Sequence, residues 1–335
     1  MNTETLSRAA FELVSEAVES IDHYTQSRDR DHLMVARSKL DQAIARDSGY
    51  LNAVFYSGVV SDLIGDVNRA VSQLRTVLAE VPENKPAVRD QIRYNLAVSL
   101  YHHYSRRWLE QAEQEFLAVL KSSREPLLQC LALAGLAQTY AMWEIPPNPD
   151  FRDEREEQLL DAHFAKSQSA SARAIDGLAR LDALPESTRN QVRATAANAR
   201  GMALMYYTDY RPPGRLDSLQ KALSELHQAD ELLPMDWANT CDLASCHMRL
   251  GYWTCSEPEF EKCRQYLEWV IETLRPGYGF ARYELGRSYR LQGRFDEALE
   301  QFALTLAIPA GDRDVGDRRL NREIALAEDG ETRYP

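Results

Sequence analysis

The sequence predicts an all-α protein built from helix pairs stacked side by side. Three observations predict it. Apolar residues recur at helical spacing along most of the chain, as in Leu6, Ala10, Leu13, Val14, Val18 and Ile21. Small and apolar core positions also return at a fixed interval: adding 34 to Ala36, Leu40 and Ala43 gives Ala70, Leu74 and Val77. Finally, 335 residues contain only 15 Gly and 14 Pro, which favours helix over sheet. A helix pair of this size cannot bury both of its apolar stripes alone, so it needs a neighbour on either side.

The elements follow in order. Thr3–Ser27 and His32–Arg46 are the first two amphipathic helices, the second carrying Leu33, Ala36, Leu40, Ala43 and Ile44 on one side. Leu51–Leu63, a turn at Gly65 and Asn68–Glu80 make the next pair. A third pair begins near Asp90, with Leu96, Ala97 and Leu100 answered by Ala112, Phe116 and Val119. The step from Ala70 to Ala112 is 42, so extra residues lie around Tyr101–Trp108.

Cys130–Tyr140 opens a fourth pair, interrupted by Ile145-Pro146-Pro147-Asn148-Pro149-Asp150. Three prolines there cannot continue a helix. A long charged helix resumes at Arg152 and runs towards Leu181. Arg189–Tyr206 pairs with Arg215–Leu233 across an enlarged turn at Tyr210–Gly214. Trp237–Leu250 pairs with Glu257–Leu274 through Gly251 and a loop at Tyr252–Ser256.

The last pair is the clearest. Leu285, Tyr289, Phe295, Ala298 and Phe302 form two stripes, with Gly293 between them as the left-handed cap of the first helix. Gly286 and Ala298 lack bulk, so the two helices can approach closely. Cys263, Leu267 and Val270 lead by 35 residues to Ala298, Phe302 and Thr305. A charged helix, Arg318–Glu328, suits the open end of a stack, where a polar outer face is required.

The stretch Phe280–Phe302 resembles one unit of the tetratricopeptide repeat family. Leu285, Gly286, Tyr289, Gly293, Phe295, Ala298 and Phe302 take the family's large, small and aromatic places. Leu51–Asn84 resembles a second unit through Gly58, Gly65, Ala70 and Pro82. The resemblance extends over residues 17 to about 310, with insertions at 143–153 and 208–215. It implies one domain over 1–335, a right-handed superhelical α-solenoid of about seven units. Their expected bounds are 17–50, 51–84, 90–126, 130–182, 189–234, 237–275 and 279–310, followed by a capping helix at 317–329.

Composition excludes several functions. A net charge of −12 argues against a nucleic-acid face, because phosphate contacts need clustered Lys and Arg. It also disfavours docking on anionic lipid, and no run of 18 apolar residues is present to span a membrane. Met1–Arg8 does not read as a secretory signal. Five cysteines fit reduced thiols and a cytoplasmic protein.

Chemistry-bearing motifs are sparse. The sequence has no His-Glu-x-x-His, no glycine-rich phosphate loop and no Gly-x-Ser-x-Gly. Glu154, Glu156 and Glu157 read as a solvated helix face. Cys241, Cys246, His247, Cys255 and Cys263 cluster in sequence, but lack the spacing of a zinc site and read as buried thiols. No cofactor or metal is expected. His102, beside His103 in an aromatic-rich helix end, could hydrogen-bond in a groove or simply close the helix.

In the family, first helices line a concave face that binds peptide segments. The resemblance places Phe55, Tyr94, Tyr101 and His102 on that face, then Gln138 and Met142, then Asn198, Met202 and Tyr206. Met248, Tyr283, Arg287 and Arg290 complete it, with some positions equally suited to packing between helices. Tyr, Met and Arg suit recognition of a protein surface, and the two arginines suit an acidic or C-terminal group. The places of the family's chaperone-tail clamp hold Phe55, Val59, Asn95, Leu131 and Gly135, of which only Asn95 fits, so that ligand is not expected.

The expected function is a non-enzymatic scaffold or adaptor for a protein or peptide, with self-association compatible. The alternative is a peptide- or ligand-sensing regulator acting through a separate effector protein. An enzyme with a site around the two insertions is the third reading.

Overall fold

The computed structural model describes residues 3–27, 29–102, 106–143, 154–181, 183–209, 215–309 and 315–334. Among them are fifteen α-helices and no strand. They are α1 (Thr3–Ser27), α2 (Arg30–Arg46), α3 (Leu51–Ile64), α4 (Val67–Glu80), α5 (Pro86–Tyr101), α6 (Arg106–Ser122), α7 (Pro126–Ala141) and α8 (Glu154–Leu178). Then come α9 (Glu186–Thr208), α10 (Arg215–Leu232), α11 (Trp237–Thr254), α12 (Glu257–Trp269), α13 (Gly279–Leu291), α14 (Phe295–Leu306) and α15 (Asp317–Glu328). A π-helical turn, Val270–Leu274, extends α12. The insertion loops at 144–153 and 210–214 lie outside the described residues.

The chain divides into two compact units: Met1–His103 with Glu110–Leu128, and Tyr104–Leu109 with Gln129–Pro335. Within the first, Ala10, Leu13, Val14 and Ala17 of α1 pack with Ala36, Leu40 and Ala43 of α2 and with Ala53 and Val60 of α3. The positions spaced by 34, from Ala36 to Val77, are all buried. Within the second, consecutive helices α8 to α14 pack on one another in sequence. One core there joins α9, α10 and α11 through Met202, Met205, Leu219, Leu226, Leu243 and Cys246. The next joins α11, α12 and α13 through Ala244, Met248, Phe260, Cys263, Leu267 and Leu285.

Local chemistry sets the helix ends. Asp29, Asp66 and Asp236 accept backbone N–H groups of the first turns of α2, α4 and α11, at 3.0–3.2 Å. Pro86 and Pro126 begin α5 and α7, where a missing N–H costs nothing. Gly65 and Gly293, at φ +93° and +77°, close α3 and α13 in the left-handed conformation.

The glycines inside helices have a different purpose. A Cβ on Gly286 would lie 2.5 Å from the Phe302 ring. On Gly58 or Gly201 it would lie 2.9 Å from Leu74 or 2.7 Å from Leu226. Gly251 belongs to this group and corrects one expectation. It does not turn the chain: α11 continues through it to Thr254, because its bare backbone admits the Phe260 ring, 3.0 Å from where a Cβ would stand. The left-handed cap falls instead on Cys255, at φ +53°, whose successor Ser256 donates its N–H to the Gly251 carbonyl at 3.0 Å.

Candidate partner-binding face

In the first unit, α3 and α5 place the expected residues. Phe55 is half-buried and packs against Val77, Val81 and Ile92. His102, at the end of α5, lies with Nδ1 3.1 Å from both carboxylate oxygens of Asp62 on α3. Its ring stands 5.3 Å from that of the buried Tyr101. Burial, helped by the Asp62 charge, pushes the Tyr94 phenol up to about 12, so it remains a neutral donor. His102 thus belongs to a carboxylate–imidazole pair between two helices.

In the second unit, a row of polar side chains crosses three helices. Gln138 Nε2 on α7 donates to Asn198 Oδ1 on α9 at 2.8 Å. Asn198 Nδ2 donates in turn to Asp242 Oδ2 on α11 at 2.8 Å. Further on, Arg249 makes a forked contact with Asp209, its Nε 3.1 Å from both oxygens and its Nη2 2.9 Å from Oδ2. Its guanidinium also lies 5.1 Å from the centroid of the half-buried Tyr206 ring.

On α13, Glu284 accepts from Ser245 of α11 at 3.2 Å and from Arg287 at 2.8 Å. Arg287 Nε lies 3.5 Å from Glu323 of α15, and Arg290 Nε donates to the same carboxylate at 2.7 Å. Arg290 also donates through Nη1 to the carbonyl oxygens of Glu331 and Arg333, at 2.7 and 3.1 Å.

These contacts revise the expected face. Arg287 and Arg290 were expected as open donors for an acidic partner; they are 8% and 0% exposed, and internal carboxylates hold both. Met202 and Met248 are core residues of two different clusters, and Met142 packs at the edge of the first. Tyr283 is buried with its ring 6.2 Å from that of Phe302. Phe55, Tyr94, His102, Gln138 and Tyr206 retain partial exposure. The residues missed from the sequence are Asp209, Arg249, Glu284, Glu323 and Tyr334. Only Glu284, three residues before Arg287, carried a local signal, that of a helical ion pair.

The cysteine cluster resolves into separate roles. Cys241 and Cys263 belong to one core cluster and Cys246 to another, with its Sγ 3.5 Å from the Leu219 carbonyl. Cys255 is the exposed helix cap. His247 lies 2.5 Å from Glu259, and burial pulls its imidazole pKa down despite that contact. Among the described residues, no group of three or more His, Cys, Asp or Glu is arranged to hold a metal, and no helix is long and apolar enough to cross a membrane.

The Asp242 carboxyl is strongly displaced by its surroundings. Burial pushes its carboxyl up to about 7; the Asn198 amide opposes this, Asp236 and Glu284 add to it, and Arg249 opposes it. An unfolded Asp titrates near 3.9. The folded chain therefore holds this proton more tightly, and stability falls as pH rises from about 4 to about 7. At about 1.4 kcal/mol per unit, a shift of about three units makes the loss at pH 8 on the order of 4 kcal/mol. Asp242→Asn keeps an acceptor for Asn198 and removes the ionisation. Its melting temperature is expected to rise against the parent at pH 8 and to change little at pH 4. A lower melting temperature at pH 8 would show that the charge is welcome there.

Among the described residues each unit is all-α, built of helices that pack on their sequence neighbours. No family model matches the chain, and no curated protein matches it. Among solved structures it is similar to a tetratricopeptide repeat protein from Parabacteroides merdae, at 12% identity, covering 96% of this chain and 99% of that one with a TM-score of 0.47. It is also similar to a thermophilic tetratricopeptide protein from Thermus thermophilus, at 20% identity, 71% and 98% coverage and a TM-score of 0.48. A third is the TPR2AB domain of yeast Sti1 in complex with pHSP90, at 12% identity, 95% and 98% coverage and a TM-score of 0.33. These likenesses concern the fold.

Proposed function

We propose that this chain is a non-catalytic scaffold or adaptor that holds a peptide or protein segment on the first helices of its helix pairs. The observation that carries the reading is the half-exposed pair Gln138 on α7 and Tyr206 on α9, with the buried Asn198 and Asp242 behind Gln138 holding its amide in place. A half-exposed amide such as that of Gln138 suits the main chain of an extended segment. A half-buried tyrosine gives such a segment a ring to pack on. The charge of −12 favours a neutral or basic protein over nucleic acid. The five free thiols support a reducing, cytoplasmic setting.

The test is capture from host extract by the tagged chain, with its bound proteins identified and then purified. Against the purified partner, Tyr206→Ala and Gln138→Ala are each expected to weaken binding by about tenfold, the loss of one well-packed interface contact. Their helical circular dichroism should be unchanged. Parent-like binding by both variants would remove this face from the function.

A further inference from the structure

Helix α15 closes as α3 and α13 do. Gly330, at φ +68°, is left-handed; its N–H reaches the Ala327 carbonyl at 3.1 Å, and the Glu331 N–H reaches that of Leu326 at 2.8 Å. The closure turns the chain so that residues 331–334 meet α11 and α13. Arg290 Nη1 then bonds the carbonyls of Glu331 and Arg333, two residues apart, as on one edge of an extended strand.

The Tyr334 ring follows. Its centroid lies 5.3 Å from that of Tyr252 and 6.1 Å from that of Trp253. The guanidiniums of Arg287 and Arg249 lie 5.5 and 5.8 Å from it. The side chains of Glu331, Thr332 and Arg333 are exposed. The seat therefore holds main chain and one ring, and leaves the three residues before the ring unread.

Two polar atoms there go unmatched. Arg290 Nη2 and Tyr334 Oη are buried without a hydrogen bond. An unmet buried polar group costs about 1–3 kcal/mol, so this occupant fills the seat without satisfying it. The charges of Arg249 and Arg287 are already met by Asp209, Glu284 and Glu323. A neutral phenol suits them, whereas a phosphorylated one would meet those three carboxylates.

We propose that this seat is a peptide-binding subsite of the scaffold, closed in cis by Glu331–Tyr334. Its partner in trans is an extended segment that offers Arg290 alternate carbonyls, followed by a tyrosine for the slot between Arg249 and Arg287. The inference rests on the scaffold reading for its biological partner, but the seat itself is testable without one.

The probe is a fluorescent synthetic peptide of residues 329–335, measured by anisotropy. The chain truncated after Gly330 is expected to bind it at least about tenfold more tightly than the full chain, whose seat is filled. Full-length Tyr334→Ala, which keeps every helix, should behave like the truncation. A peptide with Ala in place of the tyrosine, or with phosphotyrosine, should lose binding to the truncated chain. Equal binding by full and truncated chains overturns the proposal, as does no binding to a truncated chain of unchanged helicity. A full-length dimer that truncation converts to monomer also overturns it, since the segment would then be exchanged between copies. Peptide binding without any captured protein keeps the seat and removes the scaffold reading. Protein capture that ignores the segment does the reverse.

Discussion

Phe302→Ala is expected to lower unfolding stability by about 3–5 kcal/mol, the range for emptying a buried aromatic site. Phe302 has no exposed surface and packs with Tyr283, Ala298, Val315, Leu320 and Ala327, so it joins α13, α14 and α15. Its neighbours cannot collapse easily into the gap. Gly286 has no side chain to offer, and it is small because the ring already fills its space. In a stacked array each pair leans mainly on the next, so the damage should concentrate locally. Hydrogen exchange should therefore report faster opening of α13–α15 before α9–α11 change. Leu304→Ala is the control: Leu304 lies on the same helix but is 43% exposed. It should stay within about 0.5 kcal/mol of the parent. Equal losses in both variants would mean that this ring does not join the last three helices.

The fold was legible because burial repeats. Ala36, Leu40 and Ala43 return as Ala70, Leu74 and Val77, and helix pairs that need neighbours leave that mark in any sequence. Gly293 was legible as a turn because a left-handed cap favours Gly. Gly251 was misread for the same reason. A glycine can mark a turn or a close approach, and only the position of Phe260 separates the two. The candidate face was harder. The family's pattern says which residues point from first helices, but not which meet a carboxylate two helices away. Arg290 looked open because its partners, Glu323 and the carbonyls of Glu331 and Arg333, lie 33 to 43 residues further along the chain. Tyr334 carried no periodic signal at all, since the segment that holds it is extended and unpaired.

Glu323→Ala is expected to cost about 3–5 kcal/mol, and the reason is Arg290 rather than Glu323. Removing the carboxylate leaves a guanidinium with no exposed surface short of its anion, and an uncompensated buried charge is what makes breaking such pairs expensive. Arg287 loses its 3.5 Å contact in the same step. The joint change Arg290→Met with Glu323→Leu removes both charges and refills the space. It should recover most of the loss and could exceed the parent, because apolar pairs of similar volume often equal or surpass buried ion pairs. Thermal melts of the single and double variants check this; equal destabilisation of both would mean that volume, not charge, governs the site. If the double variant is as stable as the parent, stability alone gives no reason to keep an arginine there. The remaining reason is the pair of carbonyls that Arg290 holds. Hydrogen exchange should then show residues 331–334 released in a chain that melts like the parent, placing the ion pair in the service of the seat rather than of the fold.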